Sequence, residues 1–146
     1  MNKKIVIING PNLNLLGKRE DEIYGKATLE DIKKQCEEIG EKIDLKVDFF
    51  QSNNEGEIIN KIHDVENSYN GLIINPAAFT HSSIAILDSL RAISKPKIEV
   101  HLSNIYSREE YRKKSITSES VNGLICGLGG YSYILGIEAI AKLIYN

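Results

Sequence analysis

Five short apolar runs alternate with helically spaced apolar stripes, and this alternation constrains the fold more than any other feature of the chain. The runs are Lys4 to Ile8, Leu45 to Phe50, Gly71 to Ile74, Ile98 to Leu102 and Gly123 to Cys126, most of them rich in Ile, Val or Leu. Between them Ile32, Cys36, Ile39 and Ile43 recur at helical spacing, then Ile58, Ile59, Ile62 and Val65, then Ile84, Leu87, Leu90 and Ile93. A last stripe, Ile137, Ile140, Ala141 and Ile144, follows the fifth run, and Arg108 to Lys114 suggests a short polar helix before it. Thr28 is placed to cap the first long helix, with Asp31 at the third position, where an acid suits the helix dipole.

Continuous apolar strands separated by helices belong to a parallel sheet covered on both faces. The expectation is an α/β fold: a three-layer, doubly wound, five-stranded parallel sheet, with the flavodoxin-like order 2-1-3-4-5 as the most economical arrangement. At 146 residues the chain fits a single catalytic domain, residues 1–146, since domains cluster near ~100–150 residues. A formal net charge of -2 gives no electrostatic reason to expect nucleic acid. No apolar run approaches the ~20 residues that cross a bilayer, so no membrane partner and a cytoplasmic location are expected. Cys36 and Cys126 lack any CxxC or Cys/His ligand spacing and read as reduced core thiols.

The connection after the first strand is the irregular one. It reads NGPNLNLLGKREDEIYG, Asn9 to Gly25, too long and too polar for mere connection. The other strands also end in polar residues: Gln51-Ser52-Asn53, Asn75, His101 and the glycines from Gly127 to Gly130. All of these fall at the carboxyl edge of the expected sheet, where open parallel sheets bind ligands. Neither GxxxxGK[ST] nor G-x-G-x-x-G occurs in the opening loop. GLGG at Gly127 to Gly130 is open to two readings, an anion site at a helix start or a tight turn.

Several side chains on this edge suit acid–base chemistry. A free phenol ionises near pH ~10, so Tyr24 works as a base at neutral pH only beside a cation, and Arg19 lies five positions away; a packed surface tyrosine is the alternative. Glu99 and His101 are two apart, hence on one face of a strand, where the carboxylate would orient the imidazole as a general acid; a structural histidine is equally compatible. His81 falls at the expected start of the third helix, where Thr80-His81-Ser82 also reads as plain helix entry. Arg108 and Arg112 are four apart and fit a carboxylate clamp or an ordinary surface. Asp88 reads as a solvated helical acid, and His63 has no assigned role. The histidines lack ligand spacing, so no metal is expected. What remains suits proton abstraction beside a carbonyl with loss of a leaving group.

Four blocks, NGPNLNLLGKREDEIYG, FFQSNNEGEII, INPAAFTHSSIAILDSL and EVHLSNIYSREEYRKKS, closely resemble the motifs of type II 3-dehydroquinate dehydratase over nearly the whole chain. The resemblance implies a cytosolic, cofactor-free enzyme of the shikimate pathway and aromatic amino-acid biosynthesis. Such an enzyme converts 3-dehydroquinate to 3-dehydroshikimate by anti elimination through an enolate and assembles as a homododecamer, a tetramer of trimers. By the same resemblance Tyr24 is the base, Arg19 lowers its pKa, and His101, oriented by Glu99, protonates the departing hydroxyl. Asn12 holds a water against the enolate oxygen. Asn75, His81, Leu102, Ser103 and Arg112 contact substrate hydroxyls and carboxylate, and Asp88 reaches a neighbouring subunit's site. Asp21 stands where the family often has proline, and Leu87 where many relatives carry a more polar residue.

Overall fold

Ile5, Val6, Ile7 and Ile8 have no exposed surface, as a strand covered on both faces requires. They form the centre of β1 (Lys3–Asn9), and the computed structural model of the chain places this strand between β2 (Leu45–Gln51) and β3 (Gly71–Asn75). β4 (Lys97–His101) and β5 (Gly123–Cys126) complete a sheet of order β2-β1-β3-β4-β5 with every neighbouring pair parallel. The structure describes residues 3–18, 21–24 and 26–146, with residues 21 and 24 described in backbone alone. The expected α/β architecture and strand order are thus those of the protein, and its type is flavodoxin-like.

Alternate residues of each strand serve opposite faces. Ile5 and Ile7 pack with α2 (Leu29–Lys42) and α5 (Tyr131–Tyr145), against Ile32, Cys36, Tyr133 and Ile137. Val6 and Ile8 pack with α3 (Glu55–Ser68) and α4 (Ile84–Ala92), against Ile58, Ile62, Ile86 and Leu90. At about 1.5–3 kcal/mol per buried aliphatic side chain, these two clusters hold the sheet and leave its carboxyl edge free to be polar. The Thr28 cap of α2 forms as expected, in a reciprocal box with Asp31. A short helix, α1 (Asp21–Tyr24), interrupts the loop after β1.

Three expectations need correction. Ile84 is 64% exposed, so the buried stripe of α4 runs through Ile86, Leu87 and Leu90 instead. The polar helix expected over Arg108 to Lys114 does not form; the segment makes 3-10 turns at Ile105–Ser107 and Glu110–Arg112. Asn104 caps the first of these through the Tyr106 amide, and such local bonds compete with a continuing helix. His81 ends a 3-10 turn, Ala77–His81, and the cap of α4 is Ser83, which bonds the Ile86 amide. Among the described residues no helix is long and apolar enough to cross a membrane.

Candidate active site

The carboxyl ends of β1 and β3 lie in register, Asn9 opposite Asn75. Gly10 follows at once and crosses so close to the next turn that a Cβ there would overlap the Pro76 carbonyl oxygen. Glycine is therefore required for the chain to leave β1 along the rim. Asn12 then takes a left-handed conformation, φ 70°, and its amide donates to Asn53 Oδ1 at 2.9 Å. Gln51 donates to the Gly10 carbonyl at 3.1 Å and to Asn53 Oδ1 at 3.2 Å, so the end of β2 braces the start of the loop.

Below this rim lies a buried network of neutral groups. Tyr133 of α5, with no exposed surface, donates to Asn9 Oδ1 at 2.6 Å and accepts from Asn75 Nδ2 at 2.9 Å. Asn75 Oδ1 accepts from the Ala77 amide at 3.0 Å, which holds Ala77 at φ 54°. One Asn75 N–H is left for the cleft that Asn75 lines. Burial pushes the Tyr133 phenol far up, so it stays protonated.

The second cluster is charged. Glu99 and His101 do share a face of β4: His101 Nε2 donates to Glu99 Oε2 at 2.6 Å, and Glu99 has no exposed surface. Thr80 and Ser115 donate to the same oxygen at 2.8 and 2.7 Å, and Thr117 donates to Oε1 at 2.6 Å. Burial works against the Glu99 charge, but His101 and the Thr117 and Ser115 hydroxyls outweigh it and hold the carboxyl below its ordinary range. With Nε2 committed to Glu99, Nδ1 is the ring nitrogen left to serve the cleft. His81 Nδ1 pairs with the Lys114 carbonyl at 2.8 Å. Burial lowers its pKa, with His101, Arg112 and Arg108 adding to the effect and the Lys114 bond opposing it.

These pieces enclose a cleft of about 140 Å³ at the sheet edge. It gathers Asn12, Asn75, His81, His101, Leu102 and Ser103, and the guanidiniums of Arg108 and Arg112 join them there. Both arginines reach the site from a loop of 3-10 turns, steadied by Glu109, which lies 3.7 Å from Arg108 Nε and 3.4 Å from Arg112 Nε. Glu99 stands behind His101. Asp88 is exposed on α4 and does not line the cleft among the described residues. Arg19 lies outside the described residues, and of Tyr24 only the backbone, at the end of α1, is described. The glycine turn resolves toward its structural reading, because the amides of Gly127, Leu128 and Gly129 already donate to His101, Ser132 and Leu102. Sequence reasoning missed Thr80, Ser115, Thr117 and Tyr133 as site-building residues. Among the described residues no group of His, Cys, Asp and Glu is arranged to hold a metal ion.

Fold and site together define a flavodoxin-like α/β domain with a buried carboxylate–imidazole pair at the carboxyl edge of its sheet. The chain matches the profile of the dehydroquinase class II family over residues 3–141. It is 60% identical over 136 residues to a 3-dehydroquinate dehydratase from Clostridium botulinum, covering 93% of this chain and 92% of that one. A 3-dehydroquinate dehydratase from Caldanaerobacter subterraneus subsp. tengcongensis is 51% identical over 141 residues, 97% of this chain and 95% of its own. The crystal structure of a type II dehydroquinase from Butyrivibrio crossotus superposes with a TM-score of 0.93 at 45% identity, covering 95% of this chain and 97% of that chain. This chain belongs to the class II dehydroquinases and is a dehydratase of that class.

Proposed function

We propose that the cleft dehydrates 3-dehydroquinate to 3-dehydroshikimate, with Tyr24 as base and His101 as acid, in the shikimate pathway of the cytoplasm. The observation that carries this reading is the Glu99–His101 pair, held at 2.6 Å beside two guanidiniums and the Asn75 amide in a chain of this family. Tyr24, as phenolate beside Arg19, takes the proton next to the ketone, and the electron pair moves to the carbonyl oxygen as an enolate. Asn12 holds a water against that oxygen, which stabilises charge as it develops. Collapse of the enolate expels the β-hydroxyl on the opposite face, and His101 Nδ1 protonates it, so water leaves and the ring gains a conjugated double bond. Arg112 pairs with the substrate carboxylate beside Leu102 and Ser103, while Asn75 and His81 bind ring hydroxyls. No cofactor takes part. In a homododecamer built as a tetramer of trimers, Asp88 reaches a neighbouring subunit's cleft.

Purified protein mixed with 3-dehydroquinate in the presence of EDTA is expected to generate the ultraviolet absorbance of the conjugated product. Tyr24→Phe removes the proton acceptor alone, so kcat is expected to fall by at least about 100-fold with the fold intact. Turnover retained in that variant refutes the base assignment.

A further inference from the structure

Three hydroxyls from two separate segments converge on the Glu99 carboxylate. Thr80 comes from the turn after β3, and Ser115 and Thr117 come from the loop that carries Arg108 and Arg112 into the cleft. Thr80 Oγ1 lies 2.6 Å from both Ser115 Oγ and Thr117 Oγ1, and the Ile116 amide donates to the Thr80 carbonyl at 2.8 Å. Thr80 and Thr117 have no exposed surface, and Ser115 keeps 8%. The cluster is buried, and its hydroxyl hydrogens have the carboxylate as their acceptor.

We propose that Thr80, Ser115 and Thr117 are positioning residues that keep Glu99 an anion behind His101, so that the proton shared by the pair stays on the imidazole. The proposal deepens the reading of His101 as the acid and rests on it. A carboxylate and an imidazolium 2.6 Å apart are one proton shift from a carboxylic acid and a neutral imidazole, whose remaining Nδ1–H is a far weaker acid than that of the imidazolium. Hydroxyl donors lower the energy of the charged carboxylate and bias the pair toward imidazolium. Removing one donor therefore has two linked effects. The proton moves to Glu99 more often, which lowers kcat, and the pair as a whole holds its proton to higher pH. A merely structural loss does not move that midpoint. The other titratable or charged groups facing the pair are His81 from the turn after β3, Arg108 and Arg112 from the loop after β4, and Cys126 beside His101 on β5. All of these stay in place in the variants below.

Thr117→Val keeps the shape and deletes the hydroxyl on Oε1, and Thr117→Ser restores it. The titration of the His101 ring, followed by 15N NMR, is expected to rise by about one pH unit in the valine variant, the size of one hydrogen bond to a charged group. Its kcat is expected to fall about tenfold, with the alkaline limb of the profile moving up alongside, and serine is expected to recover both. Should the valine variant fail to fold, Ser115→Ala on Oε2 carries the same test. An unmoved His101 midpoint overturns the proposal while leaving the acid assignment standing. A midpoint that rises while the alkaline limb of kcat stays put overturns the acid assignment, and the proposal with it.

Discussion

The cluster around Tyr133 and the cluster around Glu99 lie on adjacent strands, yet the first holds no charge and the second is organised about one. In the first, three donors each have their own acceptor: Tyr133 to Asn9, Asn75 to Tyr133, the Ala77 amide to Asn75. Its product is a direction, one Asn75 N–H aimed from a fixed amide. In the second, four donors converge on one carboxylate. Its product is a charge that survives burial. A neutral network can lose a member and relax, whereas donors gathered around an anion are stranded together when it goes.

The largest expected effect therefore follows Glu99→Ala, which leaves His101 and three hydroxyls facing a void. A stability loss of about 3–5 kcal/mol is expected in denaturant unfolding, with kcat reduced by more than about 100-fold. A loss near that of an ordinary buried hydrogen bond would erase the contrast between the clusters. Tyr133→Phe comes next, at about 1–3 kcal/mol for the Asn9 and Asn75 groups it deprives. Because Asn75 is the proposed substrate contact, steady-state kinetics are expected to show a raised KM and a smaller change in kcat.

Acid dependence separates the clusters further. Glu99 is held below its ordinary 4.5, so its contribution is fully present above that pH and is lost as the pH falls through the folded-state value. His81 is held below its ordinary 6.5, so folding favours the neutral ring, and stability declines as the pH drops beneath 6.5 until the folded ring also takes a proton. Tyr133 stays protonated throughout. Unfolding midpoints measured from pH ~7 down to ~4 are expected to fall in parallel for the wild type and Tyr133→Phe, and diverging curves would tie the neutral network to the titration. The smallest effect is expected at Arg91→Ala, whose partner Glu119, 3.6 Å away, lies in the same turn as Thr117, but the pair is about half exposed. A change within about 1 kcal/mol, measured in the same unfolding assay, would show that the charged cluster is held from inside.

The sequence makes some of this legible and hides the rest for physical reasons. The strands read clearly because burial on both faces forces continuous apolar runs, and Glu99 and His101 read as a pair because strand periodicity acts over two residues. Thr80, Ser115 and Thr117 gave no signal. They are ordinary residue types 16 to 19 positions from Glu99, and only the folding of two turns brings them onto it. Tyr133 is hidden more deeply, since it sits 124 residues from Asn9 and looks like one more aromatic in an apolar helix. Arg108 and Arg112 were picked out by helical spacing but meet at the cleft through 3-10 turns, where Asn104 and Ser107 bond the local backbone. His81 follows NPAAFT and so reads as a helix start, whereas it ends a 3-10 turn and Ser83 caps the helix that follows.

The in-register pairing of Asn9 with Asn75 has a consequence for folding quality. A slip of one residue between β1 and β3 would exchange an amide for the isoleucine beside it and turn a polar rim greasy. The same slip would hand Val6 and Ile8 to the layer that now takes Ile5 and Ile7, so the two buried layers also fix the register that seats the polar rim.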